Sequence, residues 1–224
     1  MINRFIIIFS ICLYTICAAP AARTIDNTIS NYDKITHQLM PQSMRETLPA
    51  VLDITKKLTK LYLSGKTIRL TSDIFSQAEQ LEMIDLSNGE ITEIESQAFH
   101  GTSKLKRLNL SGNRIKTVPA NIFGPGNNLK ELDLADNQID RINRASFNNM
   151  QHLKKLDLRN NKLTNLSGPI FGDLINLQEL DLSGNPIRVM DEEFFASLPA
   201  GLALNFDDQF LDFKSLKLVD QWSL

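Results

Sequence analysis

Four aspartates recur in this chain on one fixed interval. Asp85, Asp133, Asp157 and Asp181 occupy slots 24 residues apart, with Asn109 in the remaining slot. Two residues ahead of each slot stand Met83, Arg107, Glu131, Lys155 and Glu179. Tyr62 and Lys60 hold the same two positions one unit earlier. If the fold sets equal positions side by side, these residues form two columns. The aspartate column is then an acidic strip that could dock a basic partner. Calcium would need oxygen ligands that converge on a point, and a straight column does not converge. We therefore expect no metal and no cofactor. The other column alternates in sign from Arg107 to Glu179 and is expected to pair largely with itself. Four aspartates so close together repel, unless cations or the flanking Arg107 and Lys155 offset them. Binding hot spots favour aromatic and arginine anchors, which singles out Tyr62 and Arg107, with Met83 between them.

No catalytic constellation accompanies these columns. His37, His100 and His152 lie far apart, and the chain has no His-Glu-x-x-His, no Gly-x-Ser-x-Gly and no phosphate-binding glycine loop. We expect a binding protein rather than an enzyme. Two Asn-x-Ser sequons occur, at Asn109 and Asn165, and both are candidate glycosylation sites. A glycan on Asn109 would stand in the middle of the strip.

The elements that position these residues follow from a leucine pattern. Leu81, Leu105, Leu129, Leu153 and Leu177 each open L-x-x-L/I-x-L, again 24 residues apart. Alternating leucines predict a short strand with the leucines inward and the intervening residues outward. A unit this small cannot bury its apolar side alone, so units must stack into a solenoid. Six repeats are expected over 58–201, the first of 23 residues beginning at Leu58. An asparagine column follows the strands, at Asn113, Asn137, Asn161 and Asn185. Its amides can satisfy backbone groups that leave the strand ladder. Lys66 and Gly89 replace it in the first two units, which predicts a looser N-terminal end. Phenylalanines at 75, 99, 123, 147, 171 and 195 are expected to line the far wall of the core.

The termini read differently. Asn3-Arg4, an apolar stretch from Phe5 to Cys17 and small residues from Ala18 to Ala22 have secretory signal architecture. Residues 1–21 are expected to be removed, with cleavage after Ala21 or Ala18. Cys12 and Cys17 go with them, which leaves a mature chain without cysteine. Loss of Arg4 takes the formal net charge from -2 to -3. That balance lacks the concentrated basic face of a nucleic-acid binder, and no membrane insertion is expected after cleavage. Residues 22–57 carry a helical stripe, Ile25, Ile29, Tyr32, Ile35 and Leu39, and are expected to cap the first repeat. Residues 202–224 begin as a truncated repeat around Leu202–Leu204. They continue as an apolar tail that should cover the last repeat, since open solenoid ends need caps.

The pattern L-x-x-L-x-L-x-x-N-x-I-x-x-I-x-x-x-x-F resembles the typical class of extracellular leucine-rich repeats. That class occurs in Toll-like receptor ectodomains, small matrix proteoglycans and axon-guidance proteins. The resemblance covers Leu58 to about Asp207. It implies an α/β repeat fold, a horseshoe-shaped solenoid with a parallel β-sheet on its concave face, and a protein partner. It also offers a bland account of the aspartates, because Leu-Asp-Leu-Ser is a common string in such repeats. Animal members usually have cysteine-rich caps, which are missing here. Without a membrane span or intracellular domain, such a chain would not signal by itself. The expected role is a secreted binding module, such as an immune modulator or soluble decoy in Toll-type signalling. The alternative is a structural component of the extracellular matrix or of adhesion.

Overall fold

A computed structural model describes residues 59–207, except 66, 67, 73 and 77. The expected signal segment 1–21, the segment 22–57, Leu58, Lys66 and the tail beyond 207 lie outside the described residues.

Each unit contributes one short strand to a seven-stranded parallel sheet. In spatial order these are β1 (Lys60–Tyr62), β2 (Met83–Asp85), β3 (Arg107–Asn109), β5 (Glu131–Asp133), β7 (Lys155–Asp157), β9 (Glu179–Asp181) and β11 (Ala203–Asn205). Four two-residue strands lie elsewhere in the units and form two parallel pairs. β4 (Thr117–Val118) pairs with β6 (Arg141–Ile142), and β8 (Asn165–Leu166) with β10 (Val189–Met190). Among the described residues the helical content is one piece, α1 (Glu192–Ala196). The result is a leucine-rich-repeat horseshoe whose concave face is the seven-stranded sheet.

The register follows the period. Leu108 pairs with Leu132, Leu132 with Leu156 and Leu156 with Leu180, each 24 residues on. The middle residue of each three-residue strand from β1 to β9 points inward and is at most 2% exposed. Opener leucines and the column Ile91, Ile115, Ile139, Leu163 and Ile187 complete one continuous apolar core.

The asparagine column works as expected, and each amide serves two units. Asn137 Nδ2 donates to Leu134 O and Ala135 O in its own unit and to Leu110 O in the preceding one. Its Oδ1 accepts from Ile115 N. Asn113, Asn161 and Asn185 repeat the pattern. Because every amide reaches backwards, the Gly89 substitution removes this clamp from the junction of the first two units. Glycine at that position has no amide to offer Leu63 O and Ile68 N.

The turn just before this column is left-handed. Asn88, Gly112, Asp136, Asn160 and Gly184 have φ between 53° and 70°. At Gly184 space adds a second constraint, since a methyl group there would lie 2.1 Å from Asn160 Oδ1.

One column departs from the period. Phe75, Phe99, Phe123, Phe147 and Phe171 are buried, but the sixth core ring is Phe194 rather than Phe195. Phe194 is fully buried and meets Phe171 edge-on, with ring centroids 5.9 Å apart. Phe195 is half-buried and rests against Phe194. The slip arises after β10, which still pairs Met190 with Leu166 in register. Asp191 then caps α1 by accepting from Phe194 N at 2.8 Å. The helical path brings the chain to the far wall one residue earlier than the turns of the other units. The same Asp191 carboxylate accepts from Gly168 N with both oxygens, tying the last full unit to the one before it.

Candidate functional site

The two predicted columns exist. The register aligns Lys60, Met83, Arg107, Glu131, Lys155 and Glu179 in one row across the concave face. It aligns Tyr62, Asp85, Asn109, Asp133, Asp157 and Asp181 in the next. A groove of about 340 Å³ opens between them, lined from Met83 to Asp181.

All four aspartates of the strip have a structural task that the sequence reading missed. Oδ1 of Asp85 accepts the backbone N–H of Ser87, two residues on. Asp133 accepts from Ala135, Asp157 from Arg159 and Asp181 from Ser183, all at 2.9–3.0 Å. Asn109 does the same for Ser111. The shared element is an Asx turn that ends each strand. This explains why an asparagine can stand in the series. The carboxylates are thus met by backbone N–H donors rather than by Arg107 and Lys155. Lys155 is engaged by Glu179 at 2.5 Å, and Asp157 pairs with Arg159 of its own unit, at 3.4 Å.

The neighbouring carboxylates do not ionise alike. Burial pushes the Asp157 carboxyl above the ordinary aspartate range, helped by Asp133 and Asp181 on either side, and the Arg159 N–H only partly opposes this. Burial acts in the same direction on Asp181, but hydrogen bonds from Ser183 and Asn205 outweigh it and hold that carboxyl below the range. Opposite signs of stability linkage follow. A raised folded-state value means Asp157 favours folding when protonated, and that advantage is lost as pH rises through it. A lowered value means Asp181 favours folding when ionised, and that advantage is lost as pH falls through it. Asparagine can keep the turn bond in both places. Asp157→Asn is therefore expected to melt at or above wild type near about pH 7, and Asp181→Asn below it. Both differences should shrink near about pH 3. Melting curves by circular dichroism at the two pH values check this, and shifts of the same sign in both variants would contradict it.

The alternating column pairs less than its signs suggest. Among the described residues only Lys155 and Glu179 close an ion pair within it. Arg107 is exposed and has no described carboxylate within ion-pair distance. Beside it, Tyr62 donates its hydroxyl to Met83 Sδ at 3.4 Å, which joins the two large apolar groups into one patch. Arg107, Met83 and Tyr62 thus sit together at the N-terminal end of the face.

A third row escaped the sequence reading. Lys106, Lys130 and Lys154 each follow an opener leucine by one residue, and their backbones are laddered: Lys130 N donates to Lys106 O, and Lys154 N to Lys130 O. All three are exposed at the rim of the concave face. The signal was available at the opener-plus-one position, but it lies just outside the alternating strand positions that define the face.

The remaining candidates do not join the site. His100 and His152 are exposed and lie outside the aspartate row, and His37 is not among the described residues. Asn165 is exposed in β8, away from the concave sheet, and its Oδ1 accepts the Ser167 hydroxyl. Asn109 is half-buried within the concave row. Among the described residues no cluster of three or more His, Asp or Glu side chains is arranged to hold a metal ion. No described helix is long and apolar enough to cross a membrane.

The leucine rich repeat family matches four overlapping segments, 56–115, 79–139, 127–187 and 151–208. The chain is a leucine-rich repeat protein. Two solved structures of longer chains are similar to it. One is the crystal structure of a TLR13–ssRNA13 complex, at 26% identity and a TM-score of 0.62. The similarity covers 75% of this chain and 24% of that one. The other is the leucine-rich repeat protein LIC12759 of Leptospira interrogans, at 28% identity and a TM-score of 0.56, covering 70% of this chain and 38% of that one. The leucine-rich repeat protein described here thus spans well under half of either relative. No curated protein sequence matches it.

Proposed function

We propose that this leucine-rich repeat protein is a secreted, non-enzymatic module that binds another protein through its concave face. The observation that carries the reading is the exposed Arg107, without an ion-pair partner among the described residues, beside the Tyr62–Met83 patch. An arginine without a counter-ion next to an aromatic and a thioether is the composition of an interface anchor. The aspartates, fixed in their turns, tune association rate and salt dependence more than affinity. Secretion is supported by the apolar N-terminal stretch and its small-residue end. In an extracellular setting, likeness to part of a Toll-like receptor supports a role as immune modulator or soluble decoy in Toll-type signalling. Of the two sequons, Asn165 is the better glycosylation site, because a glycan there leaves the concave face open.

Expression with the native N-terminus and a C-terminal tag tests the reading. Protein recovered from the medium should begin between Ala18 and Arg23. Capture from extracellular fluid should then retain a Toll-type receptor or its protein ligand. Retention of matrix or fibre proteins instead would favour a structural role, and recovery only inside cells would overturn secretion.

A further inference from the structure

We propose that the lysine row Lys106–Lys130–Lys154 is a track for an extended sulfated polysaccharide, separate from the protein-binding patch. Parallel strands stand ~4.8 Å apart, so the row presents three ammonium groups in a line along the solenoid. Lys104 adds a fourth beside Lys106, its Nζ held by Gln80 Oε1 at 2.6 Å. Lys106 is partly neutralised by Glu82, at 3.0 Å. Lys130 and Lys154 have no described carboxylate within ion-pair distance. Two adjacent like charges without counter-ions on an acidic protein are an unbalanced local field, and an anion with regular charge spacing would balance it.

Three features select the class of anion. The row consists of lysines, point charges on flexible stems, rather than the planar guanidinium forks that suit bidentate phosphate recognition. Single-stranded nucleic acid also relies on aromatic platforms for its bases, and the only aromatic residue in the two concave columns is Tyr62, three strands or more from Lys130 and Lys154 in the order of the sheet. An acidic peptide strand would leave its own amides unpaired, because this row lies across the sheet and not along a free strand edge. A polysaccharide has no backbone amide ladder to satisfy and repeats its charge as the protein repeats its lysines. The aspartate row confines such a chain to the rim, since it would repel an anion lying across the groove.

The test is binding of a heparin dodecasaccharide to the purified full chain by calorimetry over a range of salt. Lys130→Gln/Lys154→Gln should weaken binding by about tenfold and lower the log–log salt slope by roughly two. Arg141→Gln/Arg188→Gln removes the same charge from the side bearing the small sheets and should change affinity less than about twofold. All four positions are exposed, so both variants should keep the wild-type melting curve, and Lys154→Gln alone serves if the double variant does not. Equal losses in the two double variants would overturn the track in favour of bulk charge. Absence of heparin binding would overturn it outright, as would tighter binding of oligouridylate RNA or polyglutamate than of heparin. Failure here leaves the protein-binding patch untouched, because none of the tested residues belongs to it.

Discussion

Phe194→Ala should destabilise the protein by roughly 3–5 kcal/mol, while Phe195→Ala should cost only about 1 kcal/mol. The two residues are adjacent and chemically identical, so the contrast isolates position. Phe194 is 0% exposed and closes the aromatic wall against Phe171, leaving a large cavity when truncated. Phe195 is only partly buried, packed on the outside of the core against Phe194. The wall can relax around its loss. Urea unfolding of the two variants measures the difference. Equal costs, or a larger cost at Phe195, would mean that the far wall keeps the 24-residue period and that α1 does not shift it.

Asn137→Ala should cost roughly 1–3 kcal/mol, the range for a buried polar group left without its partner. Four hydrogen bonds go with the amide: Ile115 N loses its described acceptor, while Leu110 O, Leu134 O and Ala135 O each keep one other donor, Asn113 Nδ2, Asn161 Nδ2 and Gly112 N. Alanine offers none of them a replacement, and the side chain is too enclosed, at 7% exposure, for water to enter freely. Asn176→Ala is the matched control. That amide is exposed and donates only to Gln151 O, so its loss should cost about 0.5 kcal/mol or less. Thermal or urea melts of the pair decide the matter. Equal effects would mean that the asparagine column is not what clamps successive units.

The period made most of this fold legible. A 24-residue repeat with leucines at fixed phase fixes strand, register, concave face and core columns together, because each unit has only its neighbours to pack on. Where two residues of one type stand side by side, the period alone cannot choose between them. Phe194 and Phe195 are such a pair, and a short capped helix decided in favour of the earlier one. The site was less legible. A column of aspartates reads as charge in a sequence, whereas Asp85, Asp133, Asp157 and Asp181 spend one oxygen on the backbone two residues on. That use shows only once turn geometry is known. Arg107 was legible as a candidate anchor from its type, but its lack of an ion pair among the described residues was not, since the alternating signs around it suggested otherwise. The lysine row was written in the same period and lay one residue outside the positions that strand alternation selects.

The claim that the concave N-terminal patch binds the partner is tested most directly by titration. The captured partner would be titrated against single variants of protein shown by mass spectrometry to be unmodified at Asn109. Tyr62→Ala and Arg107→Ala should each weaken affinity by about fivefold or more, roughly 1 kcal/mol. Arg141→Ala, on the side of the small sheets, should leave it within about twofold. Unchanged affinity in both concave variants, or a larger loss at Arg141, would contradict the assignment of the binding face.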